Sequence, residues 1–503
     1  MPLNRRDVLQ GLSAGLSLGV PGTSAAASCS PGLCPTPVGL GRAGGYKILE
    51  IFLSGAFSHR ETLYIENPTV SIPWRTVDTF DPRLTTTLMP PTAPAAWRSY
   101  LPSAQDYYER DYQLNGEGGT VHLGPGGAPL VKEYGPIGAR RTLLERARLV
   151  TVSHRYPVHR EAQRVMLHGD LAEGERRGAG PGAVISRFRS TSQLAPSFVF
   201  YSEISGDARQ TRDFAIDPGL HGSIYAPIAI PFSDPSIVNR LGAVTNGDRE
   251  RLIRLHHADY ARRLTFTSAP LAGERARARA FDRLISTFDS AREGSAYASA
   301  LSALVPSGQT VETFWTNPTR RAIQASADLL ATTATAYCGV IDPGVEGSVY
   351  DTHDEDAATT ALMHTGNLIN VLRTVHELVS LGTIDLDQTL VAITTEFGRH
   401  DYGGDRSNHF NSAFNVLFVG GPIAKPVTGA PRHLVGHIDV SDPPVAKPPS
   451  TFSTPLGPSD VRAAMLAAAG VHPIQTTVFE TTDLKRSADP DQIAEDLFGT
   501  FFA

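Results

Sequence analysis

Short apolar runs of strand length recur along this chain and alternate with helical periodicity, and this alternation restricts the fold more than any other feature. Tyr46 to Ser54 reads YKILEIFLS, Arg148 to Ser153 reads RLVTVS, and Ser197 to Ser202 reads SFVFYS. Gln388 to Thr395 (QTLVAITT) and Ala413 to Val419 (AFNVLFV, followed by Gly420-Gly421) continue the series. Continuous apolar runs of this length belong to strands buried on both faces. Thr359 to Leu381 and Ser459 to Ala469 carry helical spacing, and Ser459 is placed to act as an N-cap. Strands alternating with helices predict an α/β fold with a doubly wound, mainly parallel sheet.

The chain has 503 residues, 41% of them hydrophobic and 19% charged, which allows one large α/β domain with insertions or two to three ordinary domains. A formal charge of −6 offers no basic face of the kind that nucleic-acid binders show. The stretch from about 64 to 145 is broken by prolines and glycines and predicts mostly loop with short elements. Arg-, Ala- and Leu-rich helical sequence predicts a helical insertion or cap over 248–337. That insertion divides the α/β domain into 46–247 and 338–485, and leaves 486–503 as a C-terminal tail.

The N-terminus reads as an export signal over residues 1–27. Arg5-Arg6 precede a mild apolar stretch, Gly11 to Val20, which ends toward Ala25-Ala26-Ala27. Glycines and shortness keep that stretch from spanning a bilayer. A Gly-, Pro- and Ser-rich linker, 28–45, follows. The expectation is twin-arginine export to the bacterial periplasm or medium, with the twin-arginine translocase as partner during export. Cys29 and Cys34 can then close a small disulfide loop, or Cys29 can carry lipid, although the Leu usual before a lipidated Cys is missing. Cys338 reads as a buried structural thiol.

Chemistry-bearing side chains gather where apolar runs end. Asp351-Thr352-His353 precedes the helix expected from Thr359; Glu396-Phe397-Gly398-Arg399 follows QTLVAITT; Asn408-His409 closes a glycine-rich loop. Ligands of open α/β sheets sit beyond the carboxyl ends of the strands, and Asp, Glu and His bind divalent cations. Asp351 and Asp354 can equally cap a helix, whereas His353 has no capping role. Glu396 can also simply pair with Arg399, and His409 can be an ordinary surface histidine. His154, His159, Gln163 and His168 follow RLVTVS, with His159 and Gln163 on one helical face. Ser58 and His59 lie in the loop after the first strand. His122, His256 and His257 have no acidic neighbour in sequence and read as ordinary surface residues.

In order, KILEIFLSGAFSHRETLYI, HLGPGGAPLV, RLVTVSHRYPVHREAQ, YDTH and LVAITTEFGRHDYGGDRSNHFNSAFNVLFVGG resemble the bacterial family called domain of unknown function 1501. That family lies within the alkaline-phosphatase-like and sulfatase-like superfamily. The resemblance spans most of 46–475 and thins in the Arg-rich middle. It implies an alkaline-phosphatase-like sheet and ester hydrolysis at one or two divalent metals, Zn, Ca, Mg or Mn. By similarity the metal ligands are Asp351, His353, Glu396 and His409. Glu396, Arg399 and His159 are the expected catalytic groups, with Ser58, His59 and Thr352 as possible additions. The implied substrate is a small anionic ester or a polymer. The pattern also departs from the family: the loop Ser54 to His59 lacks its Asp, Val158 stands where the family has Ser, and Asn408 stands where it has Asp. Fewer carboxylates weaken a second hard-cation site. The alternative expectation is therefore a catalytically inactive envelope or secreted binding protein on the same fold.

Overall fold

A computed structural model describes residues 45–57, 62–65, 113–116, 119–169, 180–189, 196–202, 227–232, 291–305, 317–345, 348–353, 355, 357–400, 408–423, 432–439, 445–473 and 489–502. The export signal, almost all of the linker, Cys29, Cys34, Ser58, His59, Asp354, His256, His257 and the helices expected over 248–290 lie outside those residues.

The strands are β1 (Lys47–Leu53), β2 (Tyr64–Ile65), β3 (Gln113–Gly116), β4 (Gly119–Leu123), β5 (Ala147–Val152), β6 (Phe198–Tyr201), β7 (Ile228–Pro231) and β8 (Tyr337–Asp342). A short hairpin, β9 (Gly344–Val345) and β10 (Ser348–Val349), precedes β11 (Thr389–Thr395). A second hairpin, β12 (Gly398–His400) and β13 (Asn408–Phe410), leads to β14 (Phe414–Gly420) and β15 (Leu434–Val435), and β16 (His437–Asp439) pairs with β17 (Val445–Lys447). Among the described residues the main sheet has 11 strands in the order β2-β4-β3-β15-β5-β14-β11-β1-β8-β6-β7. It is mixed but mostly parallel, and each apolar run singled out above supplies one of its strands.

Among the described residues the α-helices are α1 (Ala128–Val131), α2 (His159–His168), α3 (Pro181–Arg189), α4 (Ala291–Ser302), α5 (Pro318–Thr332), α6 (Ala357–Ser380), α7 (Pro458–Ala468) and α8 (Pro490–Phe502). Side chains alternate across a strand, so β1 feeds two cores. Leu49, Ile51 and Leu53 join the core under α4, α5 and α6, while Ile48 and Phe52 join the core under α2, α3, α7 and α8. Helices thus cover both faces, which is the doubly wound α/β arrangement.

β14 is the strand that alternation alone misreads: it runs antiparallel to both neighbours, β11 and β5. A parallel partner needs a long crossover, usually a helix. Between β11 and β14 the described residues form the β12–β13 hairpin, and β14 returns beside β11. β5, β11, β1, β8 and β6 still point one way and deliver their carboxyl ends to one edge.

Helix termini show two further differences. α7 is capped by Gly457, with Pro458 in the first turn and Asp460 accepting from Gly457 N at 2.8 Å, so Ser459 lies inside the helix. Proline's preset φ suits that first position. α8 turns part of the expected tail into a docked element, with Phe501 and Phe502 buried against Phe418 of β14. The described part of the Arg-rich segment is α4 and α5. α5 lies on β1 and β8, where Lys47 Nζ donates to the carbonyls of Leu330 and Thr333 at its C-terminus, a favourable place for a cation. Cys338 is buried in β8, as expected.

One buried pair escaped the sequence reading. Glu50, 1% exposed in the middle of β1, meets Arg462 of α7 at 2.6 Å. Thr394 Oγ1 and Tyr337 OH donate to the same carboxylate at 2.7 and 2.8 Å. The pair locks α7 onto the sheet.

Candidate metal centre

Four segments converge at the carboxyl edge. The loop after β5 leads into α2 and brings His159 at its first residue. The loop after β10 brings Asp351 and His353; α6 starts only at Ala357, so Asp351 is not its cap. The turn after β11 brings Glu396 and Phe397. The β12–β13 hairpin places His409 directly across from Arg399.

His159, Asp351, His353 and His409 each aim one donor atom inward, and those atoms all lie within 4.8 Å of one another. Asp351 Oδ1 stands 3.4 Å from His159 Nε2 and 3.4 Å from His353 Nε2. Donors bonded to one tetrahedral cation at typical zinc distances lie roughly 3.3–3.5 Å apart. His159 Nε2 and His409 Nε2 are 2.8 Å apart, a hydrogen-bond contact that places one proton between them. The rings of His353 and His409 have centroids 4.3 Å apart, as do those of Phe397 and His409, so the buried Phe397 forms an apolar floor.

The groups behind the donors fit a metal centre too. Ligating histidines normally give their other ring N–H to a carboxylate or a backbone carbonyl. His159 Nδ1 donates to Glu396 Oε1 at 3.0 Å, and His409 Nδ1 donates to the carbonyl of Pro157 at 2.5 Å. Those bonds leave each Nε2 facing the cluster. Glu396, fully buried, also accepts from Gly55 N at 2.7 Å, Gln163 Nε2 at 3.4 Å and Thr395 Oγ1 at 3.4 Å. Arg399, 1% exposed, forms an ion pair with Asp351 and donates to the Gly55 carbonyl from Nε at 3.0 Å and Nη2 at 2.7 Å.

Electrostatics follow this geometry. Burial opposes charge on His159, but hydrogen bonds to Asp351 and Glu396 outweigh it and hold the imidazole up at about 9. Burial likewise opposes ionisation of Asp351, yet His159, Arg399 and His353 keep its carboxyl well below the usual carboxylate range. Burial, reinforced by the charge of His159, pushes His409 down to about 4. Burial does the same to His154, whose Nε2 donates to the Glu396 carbonyl at 2.5 Å, and pushes it down to about 4.

The expected ligands Asp351, His353 and His409 therefore come together, but the fourth donor is His159, and Glu396 stands behind it. The sequence signal for this exchange was the α2 face that His159 shares with Gln163, because both side chains reach Glu396. Arg399 braces Asp351 from within the protein. Thr352 is buried, with Oγ1 3.1 Å from Thr360 Oγ1 and 3.4 Å from His364 Nε2. The exposed Val158 occupies the N-cap of α2 without a side-chain hydrogen bond.

Among the described residues, no helix is long and apolar enough to cross a membrane. No protein-family model matches the chain, and no curated protein matches it.

Proposed function

We propose that this protein is an exported, metal-dependent hydrolase of phosphate or sulfate esters, with one divalent cation held by His159, Asp351, His353 and His409. The observation that carries the reading is the convergence of four donor atoms whose outward ring nitrogens, on His159 and His409, are already bonded to Glu396 and Pro157. Three imidazoles and one carboxylate suit zinc or manganese better than calcium or magnesium, whose sites are built from oxygens. Such a cation polarises an ester oxygen and offsets its negative charge. In this assignment Glu396 orients His159, Arg399 orients Asp351, and Phe397 keeps water from one side. His353 is 41% and Asp351 31% exposed by side chain, so a small anionic ester or a polymer end approaches from their side. The twin-arginine-type N-terminus and the resemblance to the domain of unknown function 1501 family support export and an alkaline-phosphatase-like form of the sheet. Elemental analysis of purified protein beside a His353→Ala, Glu396→Ala double variant tests the metal. Equal metal content in the two proteins would end the reading.

A second reading is a non-enzymatic binding protein on the same fold. It is favoured by the count of side chains: four protein donors close a tetrahedral shell, the pattern of structural zinc sites, whereas catalytic ones keep a position open. Val158, in place of a serine, points the same way. Turnover of chromogenic phosphate or sulfate esters that is lost in His353→Ala would decide for the hydrolase.

A further inference from the structure

The two groups that brace the donors meet at one residue, Gly55, through the two peptide units that flank its Cα. Gly55 N donates to Glu396 Oε1 at 2.7 Å, and Gly55 O accepts from both Arg399 Nε and Nη2 at 3.0 and 2.7 Å. Glu396 orients His159 and Arg399 orients Asp351. The amide and the carbonyl of a single residue after β1 are thus tied to two of the four donors. The backbone there is unusual: Gly55 has φ +124°, and the next residue, Ala56, holds φ 71° although it is not glycine. A Cβ on Gly55 would meet Asp351 N at 2.6 Å and Tyr350 at 3.0 Å. Backbone in such regions persists only where its surroundings hold it. Here Ser54 N donates to Asp342 O at 2.8 Å and Phe57 N to Phe397 O at 3.1 Å, bracketing the strained pair.

We infer that the Gly55 backbone is the shared anchor of the metal centre, so that Glu396 and Arg399 act as one coupled pair of positioning residues rather than as two independent supports. This inference rests on the metal reading above. It explains why Glu396 and Arg399 lie only a turn apart on the chain yet serve donors from different segments. Gln163 belongs to the same unit, because it donates to Glu396 at 3.4 Å and to Ser54 Oγ at 3.5 Å, again linking carboxylate to the β1 end.

The test is a double-mutant cycle on metal affinity in the full protein, using Glu396→Gln, Arg399→Lys and the combination. Zinc binding is measured by competition with a chromogenic chelator, and the visible spectrum of the cobalt-loaded protein reports donor geometry. Loss of one outer partner typically lowers metal affinity about 10–100-fold. Each single variant is expected to lose affinity in that range and to shift the cobalt bands. The double variant should lose clearly less than the product of the two, because the first change already frees the shared anchor. Singles whose losses multiply, or unchanged cobalt bands, would overturn the coupling while leaving a zinc-binding wild type intact. A wild type that binds no zinc would instead remove the metal reading itself. If Glu396→Gln fails to fold, Gln163→Met replaces it in the cycle with the same expected non-multiplicative result.

Discussion

Metal binding at this cluster should carry a distinct pH signature, set by His159. Its imidazole is held at about 9 in the metal-free protein. At pH 7 the proton on Nε2, between His159 and its neighbours Asp351 and His409, occupies the place a cation takes. Asp351 is ionised and His409, pushed down to about 4, is neutral, so binding displaces one proton from His159. Two pH units separate pH 7 from its pKa, and at 1.36 kcal/mol each they cost about 2.7 kcal/mol, or roughly 100-fold in affinity. Zinc affinity measured by chelator competition should therefore rise about tenfold per pH unit from pH 7 and level off near pH 9. The stability of the metal-free protein should move in the opposite sense. A raised pKa stabilises fully below the unfolded value of 6.5 and the contribution is lost as pH rises through about 9, roughly 3 kcal/mol in all. The lowered carboxyl of Asp351 and the raised imidazole of His159 are one interaction seen from two sides, and it is counted once. An affinity that is flat between pH 7 and 9 would refute the assignment of His159 as a donor.

Three further outcomes follow from other parts of the molecule. His353→Ala should lower bound metal to well below one equivalent by elemental analysis while leaving the far-ultraviolet spectrum unchanged, because His353 is the most exposed donor of the cluster. Arg462→Met should cost about 3–5 kcal/mol in urea unfolding, since it leaves Glu50 buried with only hydroxyl donors; a loss under about 1 kcal/mol would mean that the pair holds nothing in place. Cys338, whose thiol burial pushes far up, should resist alkylation in the folded protein and react once denaturant is added.

Much of the scaffold was legible because buried strands and amphipathic helices write themselves locally. KILEIFL and TLVAITT lie side by side in register, Lys47 to Thr389 through Leu53 to Thr395, as two mostly apolar central strands. β14 was legible as a strand but not in direction, because direction depends on the length and path of its connection. Ser459 was misread as a cap because its own preference was weighed without Pro458 before it. Glu50 and Arg462 were hidden for the opposite reason: each is one polar residue in an apolar run, and only packing shows that they meet.

The candidate site divides along the same line. Residue type and position at strand ends marked out Asp351, His353, Glu396, Arg399, His159 and His409 from the sequence alone, since those features are local. Tertiary structure decided which atoms face one another. Glu396, one residue beyond its strand, is drawn under the sheet edge to meet the Gly55 amide and the His159 ring, so a histidine takes the donor place that the acidic residue was expected to fill. Hydrogen-bond direction and burial are properties of the assembled edge, where segments from distant parts of the sequence share a few ångströms, and no single segment encodes them.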